Sequence, residues 1–342
     1  MNNTTAETDD SSDTTPLGLR VFDIVIMTSI VVIGICGNVL ILSAVFSSRN
    51  LRTLANAFVV NIAVADLVVV AYVLPVVVAN VVERANVLGE VTCVMNAGLT
   101  VITCACSIWT LAQISVNRYI HVCKHTKYDK IYSKLNVCAM LVTTWSFWIF
   151  VTFLSIIWVE HNYNNDSKIC IFDHHQSPYF TAFIMVVGIG IPVIVTFVCY
   201  YLIYRTIKSS QQRIKNHTGA AGNNAPGNNA KNNKKKREND ALKALFVAFV
   251  LFIVFWCPYG IVAILYSVRV QVNGYVFKYS AWLGMSNSCV NSFVYGVMNK
   301  TYSDAYKKIV CFWRPYCLNN SIHASTSNST TIISHTGKES TC

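Results

Sequence analysis

Long apolar runs set the pattern of this chain. Six uncharged stretches, Ile24 to Val45, Val91 to Val116, Leu135 to Val159, Gln176 to Tyr204, Ala244 to Val268 and Tyr279 to Asn299, are separated by polar segments. A seventh, Leu54 to Val82, contains a single charge, Asp66. Each matches or exceeds the roughly 20 residues that a helix needs to cross about 30 Å of hydrocarbon. Their length and number exclude core helices of a soluble globule. The pattern predicts an all-α membrane protein, a bundle of seven transmembrane helices over residues 21–299. Beyond it, Tyr302, Tyr306, Ile309, Val310 and Trp313 recur at helical spacing among Lys300, Asp304, Lys307 and Lys308. That spacing predicts a short amphipathic eighth helix over 300–314, lying on the membrane surface. Residues 1–20 and 315–342 read as tails. The stretch 208–240, rich in Asn, Gly and Lys, reads as a flexible loop that buries too little apolar area to order itself.

Composition agrees: 54% hydrophobic against 13% charged residues leaves too little polar surface to coat a soluble globule. The net charge of +11 is a signal of topology. With the amino terminus outside, the outer segments hold Arg20, Arg84, Lys168, Arg269 and Lys278, 5 of the 27 basic residues. The bias survives removal of the long loop, as the positive-inside rule requires. Nucleic acid is not needed as a partner to explain Lys234, Lys235, Lys236 and Arg237; the partner the spans imply is membrane lipid. Residues 1–20 are polar and acidic and show no cleavable leader, so the first span is expected to act as its own anchor in the plasma membrane. Asn2, Asn3 and Asn165 open glycosylation acceptor motifs on the outer side. Of the 13 cysteines, only Cys93 and Cys170 face the oxidising side, and they predict one disulfide. Cys311 and Cys317, after the eighth helix, are either palmitoylated or plain thiols.

Polar residues deep in a span are the informative ones, because a charge at the bilayer centre costs about 2.5–3.5 kcal/mol on insertion scales. Asp66 is read as the only such carboxylate. Asn287, Asn291 and Tyr295 share one helix face, as do Thr100, Cys104, Ser107, Leu111, Ile114 and Arg118. If these faces meet, Asp66, Ser107, Asn287 and Asn291 supply oxygens for a sodium ion; the alternative is plain interhelical hydrogen bonding. Pro75, Pro192 and Pro258 each remove a backbone hydrogen bond and bend their helix. No Walker loop, HExxH or GxSxG pattern is present, so no catalytic residues are assigned. His161, His174 and His175 cluster near one outer loop, either as zinc or pH-sensing groups or as idle exposed histidines.

Taken in order, Gly37-Asn38, the IAVAD run ending at Asp66, Asn117-Arg118-Tyr119, Trp145, Pro192 with Tyr200, Phe252-x-x-x-Trp256-x-Pro258 and Asn291-Ser292-x-x-Tyr295 fall one set per span. This order resembles the rhodopsin-like (class A) G-protein-coupled receptors. The resemblance implies a receptor that passes an outside ligand's signal to a heterotrimeric G protein, with arrestin as a further partner. It implies a sodium pocket at Asp66, Ser107, Asn287 and Asn291 and a packing switch of Pro192, Ile108 and Phe252. Arg118 becomes the G-protein-engaging arginine, with Tyr200 and Tyr295 beneath it and Glu238 as its acidic partner in the resting state. Asn117 stands where the family has an acid, and Ser292 where it has a proline.

Within the class, NRYIHVCKHTKYDKIYS from Asn117 and NSCVNSFVYG from Asn287 are similar to stretches of the melatonin receptors. By that likeness Phe172 is a ligand-stacking ring and the coupled G protein an inhibitory one. The polar contacts of those receptors' pocket differ here: Gly188 replaces a histidine, Ser155 an asparagine and Met285 a tyrosine. Receptors for amines carry an aspartate where Thr100 stands, and opsins a lysine at Met285. The class geometry marks Thr100, Cys104, Phe172, Trp256, Tyr259 and Met285 as ligand-binding candidates, for melatonin-like or other small molecules. The alternatives are a receptor for a peptide or other amine, and a transporter, which would show internal repeats and ionisable residues in several spans.

Overall fold

A computed structural model describes residues 15–165, 167–217 and 228–312; for 211 and 213–239 it gives no side-chain account. The first span is α1 (Leu17–Ser47). The second is α2 (Leu54–Val68) and α3 (Leu74–Glu83), joined by a π-helical turn at Val69–Val73. The third is α4 (Gly89–Cys123), followed by a short α5 (His125–Ile131) and then the fourth span, α6 (Lys134–Trp158). An antiparallel hairpin, β1 (His161–Asn164) and β2 (Ile169–Phe172), leads to the fifth span, α7 (Pro178–Phe183) and α8 (Ile191–His217) around a π-helical segment Ile184–Gly190. The sixth is α9 (Asn228–Ser267); the seventh pairs α10 (Gly274–Ser286) with α11 (Val290–Met298); α12 (Lys300–Phe312) follows. Among the described residues, six helices are long and apolar enough to cross a membrane alone. The seventh span is divided by a 3-10 turn at Asn287–Cys289, so neither half reaches that length by itself.

The irregular turns have local causes. Pro75 and Pro192 lack the N–H that would close the preceding turn, and their rings crowd the carbonyl four residues back. Each follows closely on one of the two widened π turns, which relieve that crowding. Side-chain caps fix three helix starts: Thr53, Ser133 and Asn273 accept from the backbone N–H groups of Asn56, Asn136 and Tyr275. In the seventh span the 3-10 turn leaves the Ser288 carbonyl free, and the Asn38 side-chain amide of α1 donates to it at 2.8 Å. Helix α1 comes this close because Gly37 has no Cβ: one built there would lie 2.2 Å from Ser292 Oγ. The serine that stands in the family's proline position is therefore packed directly on a glycine.

Between the spans, Trp145 of α6 donates to Asn61 of α2 at 2.8 Å, and Asn61 donates to Thr110 of α4 at 2.9 Å. In lipid, where lipid tails are as apolar as leucine, helices are held by such bonds and by close packing. The stretch 208–240 departs from expectation. It is helical at both ends, because α8 continues to His217 and α9 starts at Asn228. A formed helix adds residues at little cost once its membrane part has paid for nucleation, and Lys, Arg and Gln are good helix formers. The tails 1–14 and 313–342, with Asn2, Asn3, Trp313 and Cys317, lie outside the described residues.

Candidate ligand cavity and the polar clusters beneath it

The hairpin roofs one end of the bundle. Cys170 of β2 is bonded to Cys93 in the first turns of α4, with Cα atoms 5.2 Å apart, and this pins the strand over the space between the helices. Beneath it lies a narrow cavity between the helices, partly open to solvent. Thr100, Cys104, Phe172, Trp256, Tyr259 and Met285 all line it, brought from α4, β2, α9 and α10. No Asp, Glu, Lys or Arg does so among the described residues.

His174 also lines the cavity and is fully buried, which corrects its reading as an exposed loop residue. Its ring packs 4.3 Å from that of Phe172. Nδ1 lies 3.0 Å from the Thr181 hydroxyl, and Nε2 lies 3.3 Å from that of Tyr259. Thr181 spends its own proton on the Ser177 carbonyl, so it accepts from Nδ1–H, and Nε2 is left to accept from Tyr259. Burial pushes the His174 pKa down to about 4. The unfolded chain takes up a proton near pH 6.5 and the folded one only near 4, so this group's contribution to stability is full above pH 6.5 and is lost as pH falls towards 4. His174→Gln, which removes the titrating ring and keeps an amide near the Nε2 position, is expected to flatten thermal stability across that window; an unchanged acid slope would assign it to other groups. Zinc finds no site here: among the described residues no group of three His, Cys, Asp or Glu side chains is placed to hold a metal.

A second, smaller cavity adjoins the first and shares Thr100, Cys104, Trp256 and Met285 with it. Asp66, Ser107 and Asn287 line it with Ser288. Asn291 stands beside them and donates its side-chain amide to Asp66 Oδ2 at 2.8 Å. Phe252 and Ile108 are buried in one core cluster, with Phe252 stacked 6.2 Å from Trp256.

The family model described as "7 transmembrane receptor (rhodopsin family)" matches residues 37–295. The chain belongs to the rhodopsin family of receptors. Melatonin receptor type 1A of Mus musculus is 29% identical to this receptor over 285 residues, covering 82% of this chain and 77% of that one. Melatonin receptor type 1C of Xenopus laevis is 26% identical over 309 residues, covering 88% and 70%. The crystal structure of squid rhodopsin superposes with a TM-score of 0.78 at 19% identity, covering 89% of each chain, a likeness of fold.

At the far end of the receptor, Arg118 borders an open cleft with Leu54, Asn56, Tyr128 and Ala241. Tyr200 lies within hydrogen-bonding reach of Ser115 and electrostatic reach of Arg118. Tyr295 is stacked 5.3 Å from Tyr302 of α12, and both hydroxyls are buried without a hydrogen-bond partner among the described residues. Asn117 is buried and donates to the Tyr128 hydroxyl at 3.3 Å, a neutral contact where the family has an acid. Glu238 falls within α9, but its side chain lies outside the described residues.

One cluster escaped the sequence reading. Asp66 is not the only buried carboxylate in a span: Asp23, in the second turn of α1, is 1% exposed and ion-paired with Lys278 of α10. The Tyr279 hydroxyl donates to the other Asp23 oxygen at 3.0 Å. Lys278 and Lys168, counted as outer basic residues, are both buried.

Proposed function

We propose that this receptor sits in the plasma membrane with its amino terminus and hairpin outside, binds a small uncharged aromatic molecule of melatonin-like character, and signals to a heterotrimeric G protein of the inhibitory class. The observation that supports this reading most is the convergence of six residues, from four separate elements, on one cavity beside the Asp66 cluster. The lining is apolar apart from a few hydroxyl, thiol, amide and imidazole groups, and it offers a protonated amine no counter-ion. The relatives are melatonin receptors, and their ligand has the same chemistry. Such a ligand would contact Phe172, Met285 and Trp256, and biasing Trp256 and Phe252 would shift the bundle between two packings.

In this reading Arg118, with Tyr200 and Tyr295, engages the G protein at the far cleft, and Glu238 restrains Arg118 at rest; arrestin would use the same face. The Asp66 cluster would hold sodium. Its donors are the hard oxygens such an ion takes: the Asp66 carboxylate, the Ser107 hydroxyl and the Asn287 amide oxygen. Asn291 donates to the carboxylate, so its share in the site is to orient Asp66. Sodium would supply positive charge to the Asp66 carboxylate.

The test is cyclic AMP in transfected cells, with melatonin and N-acyl indoles as probes and Arg118→Ala as the comparison. A fall in cyclic AMP that drops at least about tenfold in potency or size in the variant is expected. A response of unchanged size in Arg118→Ala would overturn the mechanism.

A further inference from the structure

The Asp23–Lys278 pair lies outside the cavity, yet it is connected to the roof by a short run of contacts. Lys278 and Trp282 are one helical turn apart on α10, and Met285, which lines the cavity, follows on the same face. The Lys278 ammonium sits 4.7 Å from the centre of the Trp282 ring. Tyr279, which donates to Asp23, packs edge-on against Trp282 at 5.9 Å. These contacts leave the indole one orientation, and in it the Trp282 N–H donates to the Ser167 carbonyl at 3.0 Å. Ser167 leads into Ile169, Cys170 and Phe172 of β2, all three in the cavity wall. The opposite mooring is on α3, where the Asn80 amide donates to the Lys168 carbonyl at 3.3 Å and the Lys168 ammonium donates to the Arg84 carbonyl at 3.5 Å. The leading end of the roof strand is thus held between α3 and α10, and its hold on α10 is aimed by a buried ion pair.

We propose that Lys278 and Trp282 are positioning residues for the cavity: the Asp23–Lys278 pair fixes the Trp282 indole, whose N–H holds Ser167 and with it β2 closed over the ligand site. The rate at which the cavity opens is set at the α1–α10 seam, by residues that do not have to touch the ligand. That β2 covers a ligand site rests on the functional reading above, whereas the closure itself is read without any ligand. Cys104 provides the readout, because its thiol lines the cavity beneath the strand.

A charged methanethiosulfonate reagent is applied to open membrane fragments carrying the full chain, so that the result does not depend on which face is outside. Modification of Cys104 is followed by mass spectrometry, with Cys104→Ser as blank. Trp282→Phe keeps an aromatic ring over Lys278 and removes the N–H. It is expected to speed modification about fivefold, the population change that goes with losing one hydrogen bond of ordinary strength. Asp23→Leu/Lys278→Met, which removes both charges together, is expected to do the same although Trp282 is intact. An unchanged rate in Trp282→Phe overturns the proposal, and an unchanged rate in the double variant overturns the part given to the ion pair. Should that double variant fail to fold, Asp23→Asn/Lys278→Gln, which also removes both charges but keeps polar side chains of similar size, takes its place with the same two outcomes. The cyclic AMP response to melatonin is measured separately. A faster Cys104 reaction with no melatonin response would keep the closure and reject the ligand.

Discussion

Lys278→Met, made alone, is expected to lower the thermal unfolding midpoint of the detergent-solubilised receptor by roughly 10 °C. The Lys278 and Asp23 side chains are 4% and 1% exposed, so removal of the ammonium leaves a carboxylate buried without a counter-charge. Breaking a buried pair from one side costs about 3–5 kcal/mol, because the partner keeps its desolvation penalty and loses its compensation. The Tyr279 hydroxyl still donates to Asp23, which sets the loss towards the lower end of that range. Removing both charges together behaves differently: an apolar pair of similar volume is near neutral or stabilising. Asp23→Leu/Lys278→Met should therefore recover most of the midpoint. Tryptophan fluorescence against temperature reads both variants. A single variant within about 2 °C of the parent would mean that water reaches the pair, and the argument from burial would fail.

That pair also shows where reading the sequence stops. Seven spans were legible, because apolar runs of this length have no other common structure in water or lipid. Asp23 was read as the boundary of the first run, since a charge at the end of an apolar stretch looks like a flank. Its partner is 255 residues away, and no local pattern links the two. The same limit applies to His174. A loop histidine reads as exposed until the hairpin register and the disulfide turn its side chain inward beside Phe172 and Tyr259.

Other features were legible in kind and missed in form. Pro75 and Pro192 announced bends, and the structure turns them into widened π turns. Asn287, Asn291 and Tyr295 were placed on one helical face, but the backbone tightens into a 3-10 turn at Asn287, and the Ser288 carbonyl becomes an acceptor for Asn38. The cavity candidates came from likeness to a family. Composition alone placed none of Thr100, Cys104, Phe172, Trp256, Tyr259 or Met285 in a common space, because their meeting depends on how four elements pack.

Gly188 gives the second large prediction. Similarity to the melatonin receptors makes it a missing histidine, which suggests an emptier pocket. The structure fills the space from the other side. A Cβ on Gly188 would lie 3.3 Å from the Trp148 ring, and Trp148, from α6, is fully buried against it. Trp148 and Gly188 are thus a large–small pair across the fourth and fifth spans. Trp148→Ala is expected to cost about 3 kcal/mol, since the lost contacts are not replaced and packing is what holds helices together in lipid. Gly188→Leu alone is expected to cost about 1–3 kcal/mol by overpacking against the indole. Combined, the leucine occupies part of the space the indole leaves, so the double variant should be more stable than Trp148→Ala, with a coupling of about 1 kcal/mol or more. Thermal midpoints of the four proteins in one detergent measure that coupling. Costs that simply add would show that the two residues do not share one space.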